Sequence, residues 1–130
     1  MKTEWSPGVN HIEFWVSNLE TSMKFYRSLF ELIGWKELND HAFSSGNTEI
    51  YFKQVNTAKP STTIGPRHIC FQAVSRRVVD DVAVLTAQSN ASIIRGPVEA
   101  NDYSVGYYTI DFRDPDGYVL EVAHTPNMKL

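Results

Sequence analysis

Cysteine is nearly missing: Cys70 is the one thiol in 130 residues. An internal disulfide and a multi-cysteine metal cluster are thereby excluded, and a single thiol fits a reducing compartment. Long apolar runs are missing as well. No stretch approaches the ~20 residues that a bilayer-spanning helix needs, and residues 1–8 lack the apolar core of a secretory signal. A cytoplasmic location is the expectation, with no membrane partner. There is no basic excess either. Lys and Arg number 12 against 15 Asp and Glu, a net charge of −3, with no basic run to attract nucleic acid. What is present is 42% hydrophobic and 21% charged residues, the balance of an ordinary globular protein. The length suits one domain, or two small halves around one core. A small enzyme, a small-molecule binding protein or an interaction module remain.

The polar residues 56–63, with Pro60, read as a connector near the midpoint of the chain. In residues 9–16, Ile12, Phe14 and Val16 alternate with His11, Glu13 and Trp15, the two-residue period of a strand. Ser17 stands three positions before Glu20, the spacing of a capping box. Leu19, Met23, Tyr26, Phe30 and Ile33 then follow along one helical face, and Gly34 is placed to end the helix. Short strands are predicted at 35–38, 41–44 and 48–55.

After the connector the plan recurs. Ile69, Phe71 and Ala73 alternate with His68, Cys70 and Gln72, and Val78, Val79, Val82 and Leu85 mark a second helix. Strands are predicted at 92–98, 107–112 and 118–124. The last two are joined by the turn sequence Asp114-Pro115-Asp116-Gly117. His11, Ile12 and Phe14 align with His68, Ile69 and Phe71 at a constant offset of 57 residues. The predicted fold is α+β: two βαβββ modules, at about 8–55 and 66–126 of a single domain, pairing as a cupped mixed sheet with helices outside.

Alternation assigns the apolar positions to the helix side of each sheet. The opposite face then carries His11, Glu13 and Trp15, then His68, Cys70 and Gln72, then Tyr107, Thr109, Asp111 and Glu121. That face is too polar for an interior without a purpose. Two histidines at matched repeat positions and a carboxylate on the last strand form a candidate metal site. Two imidazoles and one carboxylate hold Zn²⁺ in some hydrolytic sites, and with open positions the same set suits Fe(II), with Mn, Co and Ni equally compatible. Open positions let a substrate bind the ion directly. The same residues also fit hydrogen-bonded strand histidines and a solvent-facing edge carboxylate.

Three segments carry a family resemblance. They are Val9-Asn10-His11-Ile12-Glu13-Phe14-Trp15-Val16 with Phe25-Tyr26, then His68-Ile69-Cys70-Phe71, and residues 106–122 around the Asp114-Pro115-Asp116-Gly117 turn. They resemble the vicinal oxygen chelate superfamily, which includes glyoxalase I, fosfomycin-resistance thiol transferases, extradiol dioxygenases and bleomycin-resistance proteins. The resemblance implies that His11, His68 and Glu121 are metal ligands, and that a fourth ligand can come from the fourth strand. Matching the apolar pair Ile50 and Phe52 to Leu120 and Val122 makes Tyr51 the counterpart of Glu121. Aligning Gly46 with Gly117 points instead to Ile50. Glu49 lies one strand period from Tyr51. Lacking a carboxylate at that position, the chain departs from glyoxalase I and stands closer to the thiol transferases and extradiol dioxygenases. Extradiol enzymes add a catalytic histidine, for which His124 is a weak candidate, while bleomycin-binding members lack the metal triad.

The expected function is a metal-dependent enzyme that chelates a small oxygen-rich substrate on a divalent ion. Glu13 or Glu49 would move a proton, and Trp15, Tyr51 and Tyr107 would wall the pocket. Residues 96–106 read as a flexible loop able to act as a lid, and Cys70 as an accessory thiol or a small neighbour of His68. The alternatives are sequestration of a small molecule without turnover, or a module that uses its cavity for no chemistry. The resemblance also implies a homodimer, with His11 meeting His68 and Glu121 either within one chain or across two.

Overall fold

Residues 8–56 and 68–127 are described in a computed structural model of the chain. Apart from Asn56, the connector read at 56–63 lies outside the described residues. In β1 (His11–Val16), Phe14 and Val16 are buried while His11, Glu13 and Trp15 stand on the exposed side, as the alternation requires. Helix α1 (Leu19–Ile33) buries Met23, Tyr26, Phe30 and Ile33, joined by Ser22, Phe25 and Leu29. It ends at Gly34, whose left-handed φ of 91° lets its N–H donate to the Phe30 carbonyl.

The start of α1 corrects the predicted capping box. Asn18 is the cap: its backbone is extended and its Oδ1 accepts the Thr21 N–H at 2.9 Å. Ser17 is engaged elsewhere, its N–H donating to the Asp116 carboxylate at 3.1 and 3.2 Å. Then come β2 (Lys36–Asn39), β3 (Ala42–Ser44) and β4 (Glu49–Gln54). Trp35, expected to open β2, precedes it because its ring stacks on Phe30 at 5.1 Å and meets Phe71 edge-on.

The second half repeats the order with β5 (Ile69–Gln72), α2 (Arg76–Gln88), β6 (Ile93–Glu99), β7 (Tyr108–Arg113) and β8 (Val119–His124). Ser75 caps α2, and Val79, Val82 and Thr86 form its buried stripe. The strand predicted at 92–98 is present as β6, which runs on to Glu99, so the loop read at 96–106 begins only at Ala100. The pairing of β6 with β7 shifts register between Arg95 and Val98, so Gly96 and Pro97 sit in a bulge. What remains of the loop, 100–106, is tied down by Ala100, Tyr103 and Gly106 N–H bonds to Tyr107, Ala100 and Asn101.

Each half forms a four-stranded mixed sheet, ordered β1-β4-β3-β2 and β5-β8-β7-β6, with β1 parallel to β4 and β5 parallel to β8. The fold is α+β, as predicted. The two apolar faces share one core, with Phe30 against Phe71 at 5.5 Å, Phe25 against Phe112 at 6.3 Å and Phe14 stacked on Tyr118 at 4.9 Å. Polar links cross the same seam. Tyr26 Oη donates to Asp114 Oδ2 at 2.6 Å, and the Tyr118 hydroxyl to the Trp15 carbonyl at 2.9 Å. Because both apolar faces turn inward, the polar face of each sheet is turned away from the core.

Candidate functional site

The register decides which side chains stand side by side. In the second sheet, Arg95 pairs with Asp111, Asp111 with Glu121, and Glu121 with Cys70. One row therefore crosses all four strands of the polar face. Glu121, on β8, is buried although charged. Its Oε2 accepts from Tyr107 Oη at 2.7 Å and from Thr109 Oγ1 at 2.6 Å. Its Oε1 lies 3.1 Å from His68 Nε2, just ahead of β5. Burial opposes ionisation of Glu121, but the bonds from Thr109 and Tyr107 and the charges of His68 and Arg95 outweigh it. The carboxyl consequently titrates below its ordinary value.

The first sheet holds the other predicted residues. His11 pairs with Glu49 and Glu13 with Tyr51 along β1 and β4. His11 Nδ1 contacts Asn10 Oδ1 at 2.7 Å, an arrangement that leaves Nε2 as the lone-pair nitrogen of the neutral ring. Its ring meets Tyr51 edge-on at 5.9 Å. The Tyr51 hydroxyl donates to Glu49, a bond that heads the causes raising the Tyr51 pKa. Trp15 Nε1 donates to Glu13 Oε2 at 2.8 Å, with the indole exposed.

The structure thus gathers His68, Tyr107 and Glu121 on one sheet, and His11, Glu13, Trp15, Glu49 and Tyr51 on the other. Among the described residues, no three His, Cys, Asp or Glu side chains converge as a metal cluster within one chain. The register also settles the counterpart of Glu121. Glu13 and Cys70 are repeat equivalents; the first pairs with Tyr51 and the second with Glu121. Tyr51 therefore occupies the position of Glu121 in the first module, and Ile50 faces the core.

The sequence pattern of the Glyoxalase/Bleomycin resistance protein/Dioxygenase superfamily matches residues 8–122. The chain belongs to that superfamily. It is similar to virulence protein STM3117 of Salmonella typhimurium, 28% identical over 123 residues that cover 88% of this chain and 82% of that one. Among solved structures, a glyoxalase/dioxygenase from Nostoc punctiforme superposes with a TM-score of 0.73 at 19% identity, covering 98% of this chain and 99% of its own. A glyoxalase/bleomycin resistance protein from Albidiferax ferrireducens T118 gives 0.72 at 23%, covering 90% and 98%. At these identities the structural likeness speaks to the fold.

Several residues of this superfamily member's polar face were not singled out from sequence. Alternation puts Thr109 on the polar face without pointing to a role, yet it makes the shortest bond to Glu121. Asn10 precedes the strand and sets the His11 tautomer. Arg95 escaped because the bulge after it breaks the period that would have assigned its face. Cys70 is exposed, yet local desolvation, with the charges of Glu121 and Asp111, pushes its thiol up to about 12. A thiol held that firmly protonated is a poor nucleophile. His124 Nδ1 lies 3.1 Å from the Ala73 carbonyl, a strand-end contact rather than a place beside Glu121.

Proposed function

We propose that this chain is a metal-dependent enzyme that chelates a small oxygen-rich substrate on a divalent ion. His68 and Glu121 of one chain and His11 of a second copy would hold the ion. The observation that carries the reading is the division of labour at Glu121. Tyr107 and Thr109 occupy Oε2, while Oε1 is turned to His68 Nε2 at 3.1 Å. Two donors on one tetrahedral Zn²⁺ sit roughly 3.3 Å apart, so the pair fits a shared ion. The nitrogen and oxygen donors suit Zn, Fe, Mn, Co or Ni.

When bound, such an ion polarises the substrate oxygens and stabilises an oxyanion as it forms. Around it, Tyr107 and Thr109 orient Glu121, and Asn10 presents His11 Nε2. Glu49 or Glu13 accepts the substrate proton; Glu49 already receives the Tyr51 hydroxyl, and Glu13 the Trp15 indole. Trp15 and Tyr51 line the substrate's approach. A homodimer would complete the site: β1 and β5 are edge strands of separate sheets, and each carries or adjoins one histidine.

A second reading is sequestration without turnover, and it is favoured by the placement of His11 on the other sheet from the His68–Glu121 pair if no partner supplies the third ligand. Elemental analysis of reconstituted protein separates the two. Wild type is expected to retain divalent metal, and His11→Ala, His68→Ala and Glu121→Ala to lose it. Mixing His11→Ala with Glu121→Ala chains should restore one site per heterodimer. A wild-type chain that holds no metal after reconstitution overturns the enzyme reading.

A further inference from the structure

Arg95 stands at the far end of the row that contains Glu121. Its Nε–H donates to Asp111 Oδ2 at 2.8 Å, and its guanidinium lies 5.7 Å from the centre of the Tyr103 ring. Tyr103 in turn meets Tyr107 edge-on at 5.2 Å, and Tyr107 is bonded to Glu121. The arginine is therefore fixed on two sides by groups that continue into the candidate metal centre. Its side chain remains 37% exposed against 17% for Asp111, so the solvent-facing part of the pair is the cation. A guanidinium carries five N–H donors in a planar fork, more than Asp111 and Tyr103 consume. Held in this way it is preorganised for a second oxyanion, and little side-chain freedom is lost when one binds.

The spacing adds a length. Neighbouring strands lie roughly 4.8 Å apart, so Arg95 and Glu121, two strands from one another, have backbones about 10 Å apart. A molecule of a few carbons can reach from one side chain to the other.

We propose that Arg95, with Asp111 and Tyr103 as positioning residues, is the recognition site for an oxyanion group on the substrate. The substrate class is then a small organic acid, carrying its carboxylate or phosphate away from the oxygens that meet the metal centre. The proposal rests on the reading above only for the role of the face as a substrate site.

Nuclear magnetic resonance on the full-length, metal-free protein tests it, with succinate as the probe and succinamide as its uncharged counterpart. Succinate should shift the Arg95 Nε–H resonance saturably, and succinamide should not. Inorganic phosphate in place of succinate distinguishes a tetrahedral from a planar anion, and saturable binding of either supports the site. Arg95→Ala should weaken binding at least tenfold. Arg95→Gln, which keeps a donor for Asp111 without the charge, should do the same, and guards against a folding defect in the alanine variant. Arg95→Lys should retain part of the affinity. Absence of a saturable shift in wild type, or equal binding by Arg95→Gln, overturns the proposal. A Zn²⁺ titration of the same sample judges the metal reading separately, since the succinate experiment needs no metal.

Discussion

Glu121 is pulled in two directions. Burial favours its neutral form, while two hydroxyl donors on one oxygen and His68 beside the other favour the charge, and the charge wins. Thr109 is well placed to act as the hinge of that balance, because it is fully buried and its hydroxyl has no bulk water to turn to. Replacing it with valine keeps the shape and deletes the donor. Thr109→Val is expected to lower divalent-metal affinity by about 10–100-fold, the usual effect of losing a group that orients a ligand. The midpoint pH of metal release should rise with it, since Glu121 would hold its proton more tightly. Competition titration with a chromogenic chelator measures both, and an unchanged affinity would leave Thr109 a packing residue only.

At the scale of elements, β6 is the informative strand. A Cβ on Gly96 would lie 2.4 Å from the Thr109 carbonyl oxygen, and its φ of +94° is left-handed. The bulge therefore brings β6 against the very residue that holds Glu121. Gly96→Ala should destabilise the fold by about 2–4 kcal/mol through overpacking and backbone strain. Because the clash falls on Thr109, metal affinity should drop as well, which denaturant unfolding paired with metal titration would detect. A variant that loses stability while keeping full metal affinity would uncouple the two strands.

This strand also marks the boundary of what could be read in advance. Where burial follows the pleat, as in β1 and β4, alternation puts Phe14 and Ile50 inside and His11 and Tyr51 on the opposite face. In β8 it assigns Glu121 to the polar face but not its burial, since Leu120, Glu121, Val122 and Ala123 are all buried. Of the two alignments open for the counterpart of Glu121, the strand register agrees with the one on the apolar pairs, Tyr51, and not with the one on the glycines, Ile50. At the bulge the period breaks, and Arg95 was invisible. At the start of α1, Asn18 is the cap, and the Ser17 backbone N–H is held by Asp116, a carboxylate 99 positions away in sequence that no local pattern reveals. The distance from His11 to the His68–Glu121 pair depends on how the halves pack, which no local pattern encodes.

For the whole molecule, the seam between the modules includes a titrating group. The Asp114 carboxyl receives the Tyr26 hydroxyl and the N–H groups of Asp116 and Tyr118. Burial raises its pKa from 3.8 to about 6, even though these bonds pull it down. A proton held more tightly in the fold than in the unfolded chain stabilises the fold as pH falls. The gain is complete below about pH 4 and disappears as pH rises through 6. Relative to Asp114→Asn, wild type should therefore be more stable at pH 4 than at pH 8, by up to about 3 kcal/mol. Urea unfolding of both proteins at the two pH values tests this, and a pH-independent difference would exclude it.

The placement of His11 on one sheet and the His68–Glu121 pair on the other has a consequence for dilution. If the third ligand comes from a partner, metal occupancy becomes a property of protein concentration. Each ion then acts as a cross-link whose binding energy adds to that of dimerisation. Lowering the protein concentration at constant free metal would release the ion, and a chelator would dissociate the dimer. A site complete within one chain would respond to neither.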